Sequence, residues 1–363
     1  MADAPDRTET PGLDLAVFGP WYEQQRPGHL DGAATGDLRA RLIAGGKSNL
    51  TYEVTDGTTE VIVRRPPLGH VQATAHDMGR EHTVMSALAD TDVPVPQTYA
   101  HCPDDSVLGA PFYVMEKVEG TPYRTAAQLA EVGPERTRHL ADAMVDALAR
   151  LHLVDPASVG LAEFGRPQGF LARQVRRWGQ QLEGSRSRDL PDADRLLAHL
   201  AEHVPADDAD RAPGHGAGIV HGDYRLDNLL ALPDAEQPVR AVVDWEMATL
   251  GDPLTDVALL LVYDGLARVV GGGAVADASA APGYPTSEEV LERYAATSGR
   301  RVDADHLDFH LGLAHFKLAV ILEGIHYRHQ QGQTVGAGFD RVGEVVEPML
   351  AAGLAAVHPR KDR

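Results

Sequence analysis

The chain has 363 residues, 43% of them hydrophobic, which is enough for two domains or one bilobal unit with real cores. Its formal net charge of −20 argues against general nucleic-acid binding, which needs a basic face. The single cysteine, Cys102, excludes a disulfide within the chain and favours a reducing compartment. No apolar run is long enough to cross a bilayer, and the first twelve residues show no signal peptide. We therefore expect a cytoplasmic protein that binds neither nucleic acid nor membrane.

The first third of the chain divides into two predicted parts. Residues 1–36 are a polar tail with a short helix around "DLAVFGPWYEQQR". Residues 37–118 contain β-rich runs, one helical run and the strand "APFYVMEKVEG", so they predict a small sheet with one helix. Residues 119–363 are mostly helical. We place the domain boundaries accordingly.

A hairpin is predicted around Asp56-Gly57, which separates two β-rich segments. A two-residue turn there pairs Tyr52 with Val61 and Asn49 with Arg64. Side chains alternate between the faces of a strand, so Arg64 shares a face with Ile62, and Val61 and Val63 share the opposite one.

The predicted helix between Gln72 and Asp90 has one carboxylate on its apolar face. That face is formed by residues at i, i+3, i+7 and i+10, which are Met78, Glu81, Met85 and Leu88. A buried carboxylate without a partner is costly. We expect Arg64 to pair with Glu81.

Two short β-loop units in the remainder, "GIVHGDYRLDNLL" and "VRAVVDWEMA", carry the chemistry. Asp223 precedes Asn228 by five positions, and Asp244 follows the run "AVV" at a strand end. Carboxylate and amide oxygens suit Mg²⁺, and a further carboxylate can face an attacking hydroxyl. Arg225 can stabilise charge on a transferred phosphoryl group. The pattern predicts phosphoryl transfer.

Several motifs resemble one known family. "HGDYRLDN" resembles the catalytic loop of kinase-like phosphotransferases, and "VVDWEMATLGDPLTDVA" resembles the metal-binding segment of the aminoglycoside phosphotransferase family. The segments "GGKSNLTYEV", "VRRPP", "REHTVMSAL", "VPVPQTY", "PFYVMEKVEG" and "RQVRRW" resemble a branch of that family also found fused to acyl-CoA dehydrogenase-like domains. The resemblance covers roughly residues 30–345.

The resemblance implies an α+β fold of the bilobal protein-kinase type, with a small antiparallel-sheet N-lobe containing one helix and a larger, mostly helical C-lobe. It also implies Mg²⁺ and ATP, with GTP left open. The catalytic base would be Asp223, and the metal ligands would be Asn228 and Asp244. Asp256 would buttress the catalytic loop. The expected nucleotide contacts are Ser48, Asn49, the strand cation (Arg64 or Arg65) with its partner Glu81, and the adenine-reading segment Met115, Glu116 and Val118.

The resemblance implies that the phosphate acceptor is a small molecule with a hydroxyl group. The segment "LAEFGRPQGFLARQVRRWGQQ" has four arginines against one glutamate, which favours an anionic acceptor such as a hydroxy acid or hydroxyacyl-CoA. The candidate contacts are Arg173, Arg176, Arg177, Lys317 and Arg328. Two alternatives stay open: an aminoglycoside antibiotic as acceptor, and a nucleotide-binding pseudoenzyme that acts as a partner module. The oligomeric state also stays open.

Three further features allow more than one interpretation. Glu246 either adds a metal ligand or faces water. Asp252 with Pro253 is expected to begin a helix. His306 and His310 are spaced i, i+4, but without an HExxH pattern we expect a solvated helix face rather than a metal site.

Overall fold

The computed structural model describes residues 10–43, 49–68, 77–206, 216–270, 277–333 and 341–358. The chain divides into two compact units. The first unit comprises Met1–Glu119 together with Arg240–Ala248, and the second comprises Gly120–Val239 together with Thr249–Arg363. The first unit is therefore discontinuous in sequence, because a nine-residue segment from far along the chain completes it.

A five-stranded antiparallel sheet forms the centre of the first unit. Its strands are β1 (Arg39–Leu42), β2 (Leu50–Thr55), β3 (Glu60–Arg65), β4 (Thr98–Cys102) and β5 (Phe112–Glu116). Their order across the sheet is β1-β2-β3-β5-β4. The helices of this unit are α1 (Leu15–Gln25), α2 (Met78–Leu88) and α3 (Asp105–Leu108).

The predicted register of the β2–β3 hairpin is wrong by two residues. Tyr52 pairs with Val63 rather than Val61, and Arg64 pairs with Thr51 rather than Asn49. The turn is longer than two residues because the Asp56 carboxylate accepts hydrogen bonds from the amides of the two threonines that follow Gly57, each at 2.7 Å. These bonds stabilise a wider loop.

Both helical segments predicted in this part of the chain are present, and both bury apolar faces. Helix α2 begins after Asp77, whose side chain caps it, and Met78, Glu81, Met85 and Leu88 are all buried as the spacing predicts. Helix α1 contributes Phe18 and Tyr22 to a core that also contains residues of β2, β3 and β5.

The second unit is mostly helical. Its helices are α4 (Ala126–Val132), α5 (Pro134–Leu153), α6 (Phe170–Ser185), α7 (Pro191–Glu202), α8 (Leu254–Val270), α9 (Ser287–Ser298), α10 (Ala304–Gln330) and α11 (Val342–Val357). Its short strands are β6 (Gly218–Val220), β7 (Leu229–Ala231) and β9 (Thr249–Gly251), and β8 (Val239–Val242) runs across the boundary between the units. Strand β6 pairs antiparallel with β9.

The core of the second unit surrounds α10, whose 27 residues supply buried side chains along its length. Apolar residues of α6, α7, α8 and α11 pack with it in one cluster. The α+β fold class is confirmed, with an antiparallel sheet in the first unit and a mainly helical second unit. Within the described ranges, none of the helices combines the length and the hydropathy that a bilayer crossing requires.

Candidate active site

The two arginines at the end of β3 point to opposite sides of the sheet. The Nε atom of Arg64 lies 3.1 Å from Oε2 of Glu81 on α2. Arg65 instead donates to the carbonyl oxygens of Gly12 and Leu108. Arg64 is therefore the strand cation that pairs with the helix carboxylate, and Arg65 ties the sheet to the segments beside it.

Glu81 is fully buried and is held by several partners besides Arg64. Its Oε1 accepts a hydrogen bond from the Asn49 amide at 3.1 Å, and its Oε2 accepts one from the Tyr113 hydroxyl at 3.0 Å. Burial raises the pKa of Glu81, and the Arg64 charge opposes that rise. Burial alone lowers the pKa of Arg64, but the Glu81 and Asp244 carboxylates contribute to a larger opposing effect, so its pKa is raised. Arg64 and Glu81 thus form a charged pair within a hydrogen-bonded network, which a buried carboxylate requires.

Asp244 belongs to the segment Arg240–Ala248, which completes the first unit, and its backbone conformation is unusual. Its φ of 67° and ψ of 59° make it the one non-glycine residue with positive φ in the part of the chain that the structure describes. Such conformations are costly and concentrate at functional sites. Its Oδ1 accepts a hydrogen bond from Arg64. The sequence left open whether Glu246 binds a metal ion or faces water. In the structure its carboxylate accepts a hydrogen bond from the Asn49 amide at 3.1 Å.

The predicted adenine-reading segment lies at the end of β5. Met115 is buried, and the Glu116 amide donates to the Gln97 carbonyl oxygen at 2.8 Å. Val118 follows the strand, and no described residue accepts a hydrogen bond from its amide. Ser48, the other predicted nucleotide contact in this unit, lies outside the described residues.

In the second unit, the loop after β6 holds Asp223 between two donors. Its Oδ1 accepts a hydrogen bond from the Tyr263 hydroxyl at 3.0 Å, and its Oδ2 accepts one from the Asn228 amide at 3.1 Å. The same Asn228 nitrogen donates to the Asp223 backbone carbonyl at 2.8 Å. Asn228 and Tyr263 therefore fix both oxygens of the carboxylate.

Asp256, in the first turn of α8, holds the backbone of this loop. Its two carboxylate oxygens accept hydrogen bonds from the amides of His221 and Gly222, each at 2.7 Å. His152 Nε2 lies 3.3 Å from Oδ2. Burial alone raises the pKa of Asp256, but His152 and the loop donors outweigh it, so the pKa is lowered. The arrangement is that of the buttress which the resemblance implies.

Sequence reasoning missed Tyr263, although a signal was present. Tyr263 lies seven residues after Asp256, which is two helical turns, so the two side chains share one face of α8. Burial raises the pKa of the Tyr263 hydroxyl far above its ordinary value, so it stays a donor to Asp223. A face that carries a buttressing aspartate is a reasonable place to look for a second contact with the same loop.

Arg225 lies closer to the Asp227 carboxylate than to that of Asp223. Its guanidinium lies 3.0 Å from the Asp227 carboxylate and 5.0 Å from the centre of the Tyr263 ring, whereas its Nε is 3.7 Å from Asp223. A small cleft beside it is lined in part by Asp227, Tyr263 and Asp264. Burial raises the pKa of Asp227, and Arg225 opposes this.

The residues predicted to contact the acceptor differ in burial and in their partners. Lys317 is buried, and its ammonium donates to the Gly222 carbonyl at 2.7 Å and lies over the Trp178 ring at 5.6 Å. Arg177 lies over the same ring at 5.6 Å and is exposed, as is Arg176.

Two of the predicted acceptor contacts do not join this group. Arg173 turns back and donates to the backbone carbonyls of Arg166 and Gln168, because the chain preceding α6 folds against its guanidinium. Arg328 is exposed about three turns further along α10 than Lys317. The two cations on α10 are thus separated by about 16 Å of helix.

The chain is similar to proteins of one known family. The model of the phosphotransferase enzyme family matches residues 39–296. Acyl-CoA dehydrogenase family member 11 of Gallus gallus is 34% identical over 322 residues, which is 88% of this chain but only 40% of the relative. The chain thus spans about two fifths of that relative.

Two solved structures are similar over nearly their whole length. A candidate aminoglycoside phosphotransferase from Ralstonia eutropha JMP134 has a TM-score of 0.79 and 33% identity, with 95% of this chain and 98% of that chain covered. Choline kinase from Cryptosporidium parvum Iowa II has a TM-score of 0.64 at 14% identity, with 94% and 95% covered, and so it shows the fold alone. The kinase-like fold is confirmed, and the chain belongs to the phosphotransferase enzyme family.

Proposed function

We propose that this protein transfers the terminal phosphoryl group of ATP to a hydroxyl group of a small molecule. The observation that carries the proposal is Asp223, whose two carboxylate oxygens are fixed by Tyr263 and Asn228. A carboxylate held in this way is suited to accept the proton of an attacking hydroxyl. Membership of a phosphotransferase family supports the reaction class.

The donor nucleotide would be bound by residues of the first unit. Arg64 would contact phosphate oxygens, because its guanidinium is fixed by Glu81 and has further donors. Asn49 would support this site, because its amide donates to both Glu81 and Glu246. The backbone of Glu116 and Val118 would read adenine, with Met115 behind it. Competition between ATP and GTP at equal concentration decides which nucleotide is the donor.

Each unit also offers a hard oxygen ligand of the kind that Mg²⁺ prefers, Asp244 in the first unit and Asn228 in the second. The nitrogen of the Asn228 amide already donates to Asp223, so the amide oxygen is the atom that it presents. When bound, the ion would neutralise charge on the phosphates.

The proposed reaction is a single displacement. The acceptor oxygen forms a bond to the γ-phosphorus, the bond from that phosphorus to the β–γ bridging oxygen breaks, and ADP leaves. The hydroxyl proton passes to the Asp223 carboxylate. Arg225 would stabilise negative charge on the transferred group, and Tyr263 would keep Asp223 oriented.

For the acceptor we propose an anionic molecule such as a hydroxy acid or hydroxyacyl-CoA. Support comes from the exposed Arg176 and Arg177 on α6 and from Lys317, which shares the Trp178 ring with Arg177. Arg173 and Arg328 have less support, since Arg173 is engaged by backbone carbonyls and Arg328 is remote from Lys317.

A second candidate acceptor is a cationic alcohol of the aminoglycoside type. The observation in its favour is a small cleft of about 30 Å³ beside Arg225 and Tyr263, lined in part by Asp227 and Asp264, which has room for one ammonium group rather than for the whole molecule. Carboxylates are the groups expected to bind polyamines.

The test is a transfer assay with ATP, Mg²⁺ and a panel of hydroxy acids, hydroxyacyl-CoAs and aminoglycosides. We expect Asp223→Asn to lower kcat by at least about 100-fold, because it removes the proton acceptor. Asp234→Asn is the matched control, since the Asp234 side chain is 79% exposed, and it should retain full activity. Transfer by the wild type that survives Asp223→Asn unchanged would contradict the mechanism.

The acceptor classes separate in the same assay. We expect Arg176→Ala with Arg177→Ala to raise KM for an anionic acceptor about 10-fold or more, with little effect on an amine. Efficient transfer to amines that is indifferent to both substitutions supports the cationic alternative. Binding of the non-hydrolysable analogue AMP-PNP without turnover of ATP on any acceptor supports the pseudoenzyme.

A further inference from the structure

His306 and His310 of α10 were expected on a solvated helix face, but both side chains are mostly buried in the second unit. The His310 side chain is fully buried, and that of His306 is 17% exposed. Their i, i+4 spacing places them on one face of the helix. The rings are stacked, with centroids 4.7 Å apart and planes within 19° of parallel. The expectation of a solvated face is therefore wrong.

A carboxylate far away in sequence completes the cluster. Asp252 lies just before α8, and its Oδ1 caps that helix by accepting a hydrogen bond from the Leu254 amide at 3.0 Å. Its Oδ2 lies 2.9 Å from His306 Nε2 and 3.3 Å from His310 Nε2. The three ligand atoms all lie within 4.8 Å of one another.

The hydrogen bonding of His310 orients one ring nitrogen toward this cluster. Its Nδ1 lies 2.8 Å from the His306 carbonyl oxygen, to which it donates, so Nε2 of the neutral ring carries the lone pair. Nε2 is buried and has no hydrogen-bond donor among the described residues, although it faces a carboxylate oxygen. A buried lone pair beside a carboxylate needs a cation. A backbone carbonyl bound to the distal nitrogen is the usual support of a metal-binding histidine.

We propose that Asp252, His306 and His310 bind a zinc ion. Zinc bonds of about 2.0 Å in a tetrahedron place ligand atoms about 3.3 Å apart, close to the two observed separations. Imidazole ligands favour zinc over magnesium, so this site is chemically distinct from the one proposed for the nucleotide. Three protein ligands leave a fourth position for water.

An acidic cavity borders the proposed site at His306. A cavity of about 430 Å³ is lined by His306 together with Asp303, Asp305 and Asp308. Its carboxylates attract cations from solution. The ion would also connect the start of α8 to α10, and α8 carries Asp256 and Tyr263, which hold the loop around Asp223. We therefore assign the ion a structural role in the second unit.

The test uses the full chain after dialysis against a chelator, with ZnCl₂ as titrant and no nucleotide present. We expect one high-affinity zinc ion per chain, measured by elemental analysis after desalting. Substituting Co²⁺ should give the visible absorption bands of a tetrahedral N/O site. His306→Gln, at the partly exposed position, should weaken zinc binding by at least about 100-fold, since even supporting residues around metal sites matter 10- to 100-fold.

The matched control is the double variant His199→Gln, His203→Gln. These histidines form another stacked i, i+4 pair, with ring centroids 4.1 Å apart, and they line the same cavity. The control should bind zinc as tightly as the wild type. Circular dichroism of each variant separates loss of the ligand from loss of the fold.

Three outcomes would overturn the proposal. The first is that the wild type retains no zinc. The second is that His306→Gln retains as much zinc as the wild type. The third is that the control variant loses as much zinc as His306→Gln does. We also expect saturating zinc to raise the melting temperature by at least ~2 °C in the wild type and not in His306→Gln. Because nucleotide is absent, the result does not depend on the proposed phosphotransfer.

Discussion

Glu81 and Asp256 show how single buried carboxylates are kept in this protein. Each is fully buried, one in each unit, and each has at least three partners. Their pKa values move in opposite directions. Burial dominates at Glu81 and raises its pKa, whereas donors dominate at Asp256 and lower it. Both carboxylates are buried and have donors, so the balance between burial and donors at each site decides the direction of the pKa shift.

Replacing Glu81 by Gln tests the network around Arg64. The variant keeps the shape of the side chain but leaves the Arg64 guanidinium with one carboxylate fewer in a buried position. We expect a loss of about 2–4 kcal/mol in the free energy of unfolding, measured by urea denaturation. Glu60→Gln is the control, because the Glu60 side chain is 46% exposed in its pair with Lys117 and should cost less than about 1 kcal/mol. Equal losses in the two variants would contradict a specific role for burial.

His315 predicts a pH dependence of stability. It lies on α10 with Nδ1 2.9 Å from the Met349 sulfur, and burial lowers its pKa from 6.5 to about 4. The folded protein therefore binds this proton more weakly than the unfolded chain does. The stability contributed by the neutral ring is complete above about pH 6.5 and is lost as pH falls toward 4, by an amount on the order of 3 kcal/mol.

We expect His315→Gln to flatten the decline of stability between pH 6.5 and 4, measured by urea denaturation at several pH values. The control is His139→Gln, since His139 is exposed on α5 and its replacement should leave the decline unchanged. Identical pH profiles for wild type and His315→Gln would show that the His315 ring is not what responds to acid.

At the scale of elements, α1 shows that a helix predicted correctly can have an unforeseen partner. The residues before position 37 are predicted as a tail with a short helix, and the helix is present. Its Phe18 and Tyr22 have no exposed surface and pack in the core of the first unit. The Phe18 ring lies 6.2 Å from that of Phe112 on β5. Helix α1 is thus part of the first unit's core.

We expect Phe18→Ala to destabilise the protein by about 3–5 kcal/mol, because it removes a fully buried ring and leaves a cavity. Val17→Ala, at the neighbouring position where the side chain is 42% exposed, should change stability by less than about 0.5 kcal/mol. Urea denaturation followed by fluorescence, with Trp21 on the same helix as a probe, compares the two. A cost for Phe18→Ala as small as that of Val17→Ala would mean that α1 detaches readily.

The hairpin of β2 and β3 and the histidine pair of α10 mark the limits of local prediction. The residues of both strands were identified, but the register depended on which loop amides the Asp56 carboxylate bonds. In α10 the spacing of His306 and His310 was visible. The carboxylate that faces them comes from a position 54 residues before His306, and no periodicity in the sequence indicates that pairing.

For the whole molecule, the sequence by itself determined the two helices and the hairpin of the first unit, the fold class and the family. It did so because side-chain periodicity and ordered motifs are properties of neighbouring residues, which hydrophobic burial and hydrogen bonding convert into helices and strands. It also indicated that a strand cation, Arg64 or Arg65, pairs with Glu81 and that Asp223 and Asn228 share one site, because these groupings follow from strand alternation, helical spacing or one short loop.

Only the tertiary structure decided which of Arg64 and Arg65 contacts Glu81, that Tyr263 fixes Asp223, and that Asp252 meets two histidines. It also showed that residues 240–248 complete the first unit. These contacts join residues far apart in the chain. They depend on how packed elements exclude water around polar groups, and that arrangement exists only once the chain has folded.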